Sequence, residues 1–198
     1  MLTLVFLFNQ LRFMSNFKPV SDSATVIAEL MIPSYSNFGG KIHGGHILSL
    51  MDKVAYVCAV KHAEAYCVTA SIETVDFLAS VEVGEMVSLY ASVNYVGKSS
   101  LVVGIRVMAE NIKTKAVKHT NTSYFTMVAM DDAHKPTGVP GLLLSTQQEV
   151  RRFYEALHKK ELKKYYSREE VRLKTQVEQQ EMIDVLKNER CLIKMPLQ

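Results

Sequence analysis

After Gly44-Gly45 the hydrophobic period of the chain becomes that of a helix, and the segments on either side of that helix read as strands. Ile47, Leu48, Met51, Ala55, Cys58, Ala59 and His62 recur at spacings of three and four, which predicts an amphipathic helix of about five turns. Its apolar face carries small residues, Ala55, Cys58 and Ala59, as suits a helix wrapped closely by a sheet. A single helix set among strands that are joined by short turns restricts the topology severely, because short connections make neighbouring strands antiparallel.

Ser23 to Ile32 is rich in strand formers and stops at Pro33, which cannot donate to a ladder. Beyond the helix, Tyr66–Phe77 and Met86–Val96 form the next two predicted strands. In the second of these, Val87, Leu89, Ala91, Val93 and Tyr95 alternate with Ser88, Tyr90, Ser92 and Asn94, a period of two. Gly97-Lys98-Ser99-Ser100 turns into Leu101–Asn111, and Lys118–Met130 supplies the last strand. The predicted fold is α+β: a five-stranded antiparallel sheet wrapped around one long central helix. One helix covers one face of such a sheet, so a second copy is expected to pair with an edge or pack on a face.

Pro136 and Pro140-Gly141 mark the expected end of this domain. From Ser145 the chain turns polar and helix-favouring, with Val150, Phe153, Tyr154 and Leu157 as an apolar stripe. A further helix is predicted from Ser167 to Asn188, opened by Ser167-Arg-Glu-Glu170, which is close to a capping box. The expected organisation is therefore an N-terminal tail (1–18), a globular domain (19–141) and a charged helical extension (142–198).

The formal charge of +3 belongs to that extension, since residues 146–198 hold 12 basic and 9 acidic side chains and the remainder holds 11 of each. A neutral main domain does not suit a nucleic-acid binder, which needs clustered Lys and Arg. Three scattered cysteines, Cys58, Cys67 and Cys191, suit neither a disulfide framework nor a Cys-rich zinc site, and they favour a reducing, cytoplasmic setting. The apolar run Met1–Phe8 is far shorter than the roughly 20 residues needed to span a bilayer. It has no basic segment before it, so residues 1–13 are read as an alternative-start extension or a loose tail, and no membrane insertion is expected.

The loop Asn37-Phe-Gly-Gly-Lys-Ile-His-Gly-Gly45, opening into a helix, is the most unusual stretch. Glycines let backbone approach a ligand, and a helix N-terminus offers free N–H groups with a positive dipole. This arrangement can hold an oxyanion, where losing one donor costs about 3 kcal/mol. It equally suits a structural turn before a helix. Asp52, about two turns into the helix, is either a solvated side chain or a general base or nucleophile. Thr69, Ser71 and Glu73 are expected on one strand face, lining a cleft or facing water. Gly97-Lys98-Ser99-Ser100 offers donors to a phosphate or is a plain hairpin turn. His43 and His46 lack partners at metal-ligand spacing, so no metal is expected. No Gly-x-Ser-x-Gly elbow and no Walker or Rossmann loop is present.

Five motifs in order resemble the hotdog acyl-CoA thioesterases, over about Ser23 to Pro140. They are Ile32-Pro-Ser-x-x-Asn37-x-x-Gly40-x-x-x-Gly44-Gly45, Met51-Asp52, Val68-Thr69-Ala70-Ser71, Val75-Asp76-Phe77 and Val96-Gly97-Lys98-Ser99-Ser100. The resemblance implies the hotdog fold and hydrolysis of fatty acyl-CoA to free acid and coenzyme A, at a site formed between two subunits. It implies that Asp52 acts as base or nucleophile and that Asn37 of the partner positions water or the thioester carbonyl. Gly44 and Gly45 would form the oxyanion hole, with Thr69 and Ser71 orienting the site. Gly97, Lys98, Ser99 and Ser100 match a segment that usually reads Gly-Arg-Ser-Ser and lies near the nucleotide of coenzyme A. Lysine keeps that charge and loses the bidentate fork. His43 stands where relatives often carry an aromatic residue. No cofactor is implied beyond the coenzyme A of the substrate, and a homodimer or a trimer of dimers is expected. Two other classes share the fold: an acyl dehydratase, whose His-x-Phe-Pro pattern is absent, and a non-catalytic acyl-CoA-binding regulator, which would not require a base beside the thioester.

Overall fold

The structure, a computed structural model, describes residues 16–175, 178–187 and 189–194. Residues 1–13, expected to be a tail, lie outside the described residues. The chain divides into two compact units, the first ending at Ala156 and the second beginning at Leu157.

In the first unit, β1 (Phe17–Pro19) leads through a four-residue helix, α1 (Val20–Ser23), into β2 (Thr25–Leu30). A 3-10 turn (Pro33–Tyr35) precedes α2 (Gly44–Ala63). The strands β3 (Tyr66–Ile72), β4 (Glu85–Val96), β5 (Ser100–Asn111) and β6 (Val117–Met130) follow, and then β7 (Gly141–Leu143). The five long strands form one antiparallel sheet in the order β2-β4-β5-β6-β3, so β2 and β3 are its edges. This is the expected hotdog arrangement, with α2 as the filling.

The helix sits where its period says it should. Ile47, Leu50, Met51, Val54, Ala55, Cys58 and Ala59 are all buried against the inward row of the sheet, which includes Val87, Leu89, Val103, Ile105, Phe125 and Met127. Each fully buried aliphatic side chain contributes about 1.5–3 kcal/mol. Small side chains at Ala55, Cys58 and Ala59 let the sheet close on the helix. The helix ends at Glu64, whose backbone is left-handed (φ 53°).

Three differences from the expected layout have local causes. The strand predicted over Tyr66–Phe77 stops at Ile72, after a bulge between Thr69 and Ser71. From Glu73 the chain is instead held by β6: Glu73 N–H donates to the Tyr124 carbonyl at 3.0 Å, and Asn121 Nδ2 donates to the Asp76 carbonyl at 3.0 Å. The unit also extends past residue 141. β7 pairs in parallel with β1, and Phe153 and Ala156 pack with Tyr95, Val102 and Tyr124 on the outer side of the sheet. Finally, α3 (Gln147–Thr175) runs straight through Ser167, and α4 (Gln179–Leu186) follows it. Ser167 does not cap a helix; its hydroxyl donates back to the Lys163 carbonyl at 2.9 Å, a bond open to serine in mid-helix.

Candidate active site

The N-terminus and the middle of α2 carry the candidate chemistry. Before its N-terminus, the chain folds back in a small hairpin closed by the Ser36–Ile42 bridge and by Asn37 N–H donating to the Lys41 carbonyl at 2.7 Å. The Asn37 side-chain oxygen accepts from Gly39 N–H at 2.9 Å and from Lys41 N–H at 3.2 Å. Its carboxamide is thereby fixed, with Nδ2 bonded to nothing among the described residues. Gly40 turns the hairpin with φ 76°, a conformation that strains any L side chain. Lys41 and Glu82 form a 2.7 Å ion pair that ties the hairpin to the loop before β4 and holds the Glu82 carboxyl below its ordinary pKa. Next to Asn37, Phe38 is wholly exposed.

Gly44 and Gly45 begin the helix. His43 is its N-cap: Nδ1 accepts from Gly45 N–H at 3.0 Å, so the Gly45 amide is occupied by an imidazole. Gly44 N–H carries no hydrogen bond among the described residues. A side chain at Gly44 would lie 3.0 Å from Cζ of Phe77, which covers this turn. The sequence showed Phe77 within a motif but gave no sign of this contact, because Phe77 lies 33 residues further on, in the segment held by β6.

Asp52 stands eight residues beyond Gly44, about 12 Å along the helix axis. It is exposed, and the Thr69 hydroxyl donates to its Oδ1 at 2.6 Å. Asp52 and Thr69 border a cleft of about 510 Å³ that is also lined by Lys53, Tyr56, Val57, Tyr66, Cys67 and Val68. Burial pushes the Cys67 thiol up to about 11, leaving it a neutral apolar wall rather than a nucleophile. The cleft runs beside β3, whose outer edge is unpaired in the sheet.

The other predicted site residues divide. Ser71 is turned away from Thr69 by the bulge: Thr69 pairs with Met127 and Ser71 with Thr126, so the alternation expected to put both on one face is broken. Gly97-Lys98-Ser99-Ser100 forms the β4–β5 turn, with Gly97 N–H donating to the Ser100 carbonyl at 2.7 Å. Leu101 and Thr69 both pair with Met127, which places that turn at the Asp52 end of the sheet, with the Lys98 side chain exposed. No hydrogen bond joins Asn37 to Asp52 among the described residues.

Comparison with known proteins agrees with this geometry. A family profile described as the thioesterase superfamily matches residues 39–116. Protein VdlD of Helicobacter pylori is 43% identical over 138 residues, spanning 70% of this chain and 79% of that protein. A Bacillus subtilis protein named uncharacterized acyl-CoA thioester hydrolase YkhA is 33% identical over 129 residues, spanning 65% and 75%. Among solved structures, an apo-hexameric acyl-CoA thioesterase superposes with a TM-score of 0.74 at 37% identity, covering 76% of this chain and 96% of its own. The acyl-CoA hydrolase of Staphylococcus aureus, solved with butyryl-coenzyme A, coenzyme A and coenzyme A disulfide, gives 0.71 at 28% identity, covering 81% and 99%. Alanine variants of the Staphylococcus enzyme have been solved at an asparagine, an aspartate and a threonine spaced 15 and 17 residues apart, and Asn37, Asp52 and Thr69 have the same spacing. With its single helix wrapped by five antiparallel strands, this chain belongs to the acyl-CoA thioester hydrolases of the thioesterase superfamily.

Proposed function

We propose that the chain hydrolyses fatty acyl-CoA at a site shared by two protomers, with Asp52 of one as general base and Asn37 of the other as the positioning donor. The observation that carries this reading is the Thr69–Asp52 hydrogen bond at the mouth of a largely apolar cleft. A carboxylate held through one oxygen presents the other to a water molecule, and the apolar walls suit an acyl chain. The matching spacing of the Staphylococcus alanine variants supports the choice of residues. In the reaction Asp52 takes a proton from water as the oxygen adds to the thioester carbonyl. The Gly44 amide and the Asn37 Nδ2 of the other protomer then bond the oxyanion, joined by the Gly45 amide once it is released from His43 Nδ1. Collapse breaks the C–S bond, and the departing thiolate takes back the proton, yielding free acid and coenzyme A. No cofactor enters these steps.

Two features favour a shared site. Along one helix Asp52 and the glycine amides are about 12 Å apart, too far to serve one carbonyl. The β3 edge and the exposed Phe38 both offer surface to a second copy. A dimer is the smallest catalytic unit on this reading, and a trimer of dimers accords with the hexameric relative. Residues 19–141 would carry catalysis, with 142–198 as a charged extension, and Lys98, Ser99 and Ser100 would face the nucleotide of coenzyme A. A cytoplasmic setting, where acyl-CoA is made and used, is part of the same proposal.

The test is thiol release from palmitoyl-CoA. Asp52→Ala is expected to lower kcat by roughly 10²- to 10⁴-fold, the contribution typical of a general base. Single turnover in ¹⁸O-water distinguishes the base from a nucleophile, since only attack by Asp52 itself would leave label in its carboxylate. Undiminished release by Asp52→Ala would sink the mechanism.

A further inference from the structure

Glu29 breaks the pattern of its strand. In β2 the half-buried and buried positions are Thr25, Ile27 and Glu29, which pair with Ala91, Leu89 and Val87 on the side of the sheet that packs on α2. A carboxylate in that row needs hydrogen-bond partners to offset its lost hydration. His46 supplies one, with Nε2 3.2 Å from Glu29 Oε1. The Tyr35 phenol lies near the same carboxylate, which holds it above its ordinary pKa. The Tyr35 and His46 rings also stack, with centroids 3.8 Å apart and planes 20° from parallel.

The places of these three residues give the cluster its meaning. His46 directly follows Gly44-Gly45, in the first turn of α2. Tyr35 lies two residues before Asn37, and its carbonyl accepts from His43 N–H at 2.8 Å. Glu29 belongs to a strand hydrogen-bonded along its length to β4. The cluster thus joins the base of the Asn37 hairpin, the turn bearing the glycine amides and the rigid sheet.

We propose that Glu29, His46 and Tyr35 form a clamp that sets the Asn37 donor against the Gly44 and Gly45 amides, making Glu29 a positioning residue for thioester hydrolysis. This rests on the reading of function given above. Glu29 touches neither Asn37 nor the glycines, and it acts through the two stacked rings. Oxyanion donors must sit within about 0.5 Å of their working positions, so a loosened clamp affects the transition state before it affects substrate binding.

The test compares Glu29→Leu, which keeps the bulk and removes the acceptors, with Glu29→Gln, which keeps one acceptor oxygen. Glu29→Leu is expected to lower kcat by about tenfold to a hundredfold, as for a donor misplaced by about 1 Å, with KM little changed. Glu29→Gln is expected to recover most of that loss. Tyr35→Phe is expected to lower kcat less, and to add nothing further in the Glu29→Leu background, because the two act as one unit. If Glu29→Leu does not fold, Tyr35→Phe with Glu29→Gln makes the same comparison. A folded Glu29→Leu with wild-type kcat would overturn the clamp, as would fully multiplicative losses in the double variant. Amide hydrogen exchange at residues 45–47 reads the clamp without activity, and faster exchange in Glu29→Leu is expected. Unchanged exchange would overturn the clamp even if the wild type released no thiol, an outcome that would separately sink the functional reading.

Discussion

The N-terminus and the middle of α2 are built in opposite ways. Around Asn37 and the glycine pair, a hairpin, a helix cap, an ion pair and the Tyr35–His46 stack fix nearly every polar group before a ligand arrives. Around Asp52 a hydrogen bond from Thr69, the one such bond among the described residues, holds the carboxylate beside an open cleft and an edge strand. The first is an ordered donor site that lacks a base. The second is a base in an unfinished pocket. Each supplies what the other wants, and the straight helix between them keeps them from meeting within one chain. Preorganised donors are most effective at the developing oxyanion, whereas a base and an acyl pocket can be completed by a second subunit.

The most direct way to break this comparison is to separate the two regions by mutation. Asn37→Ala and Asp52→Ala homo-oligomers are each expected to lose roughly 10²-fold or more in kcat. Mixing the two after unfolding and refolding should restore a substantial fraction of wild-type thiol release, because some dimers then contain one intact site. No recovery in subunits shown to have exchanged would mean that each chain carries its own complete site.

The donor site can be sharpened by contrasting two adjacent residues. In Gly44→Ala the added methyl meets the Phe77 ring at 3.0 Å, so the turn or the ring must shift, and kcat is expected to fall about tenfold. Phe77→Ala in the same chain should relieve part of that loss. His43→Ala removes the cap and is expected to cost about 1 kcal/mol of stability in urea unfolding without lowering kcat, because it frees the Gly45 amide. A fall in kcat for His43→Ala would show that the imidazole takes part in turnover.

The smallest effect lies at the C-terminal end of the same helix. His62 is fully buried, its Nε2 donates to the Pro140 carbonyl at 2.9 Å, and its Nδ1 has no partner among the described residues. Burial, the largest influence, lowers its pKa below the ordinary 6.5. The unfolded chain therefore takes up this proton first as pH falls. Stability contributed by neutral His62 is present above about pH 6.5, declines below it, and levels off under the lowered folded value. Urea midpoints from pH 7.5 to 5 should show that decline, and His62→Gln should flatten it.

Much of the fold was legible because the helix and the four long strands after the first each bury one face, and burial writes its period into the chain. The strand ends were less legible. Alternation in Tyr66–Phe77 continues past the point where a bulge and the side chains of β6 pull the backbone away, and a bulge leaves no mark in the apolar pattern. Ser167 read as a cap because its own residue type favours one, yet the helix on both sides held it in line. Within the site, Asn37, Gly44, Gly45 and Asp52 were visible as residues. The pairing of Thr69 with Asp52 was not, because it depends on how β3 lies against α2.

By itself the sequence determined the order of the central helix and the five long strands, the buried face of that helix and the family, since these follow from local period and from motifs at set spacing. Only the tertiary structure decided that His43 occupies the Gly45 amide, that Ser71 turns away from Thr69, and that Glu29 faces inward to hold His46, on which Tyr35 stacks. Those outcomes depend on contacts between residues far apart in the chain, whose geometry is set by packing and register and has no local signature to read.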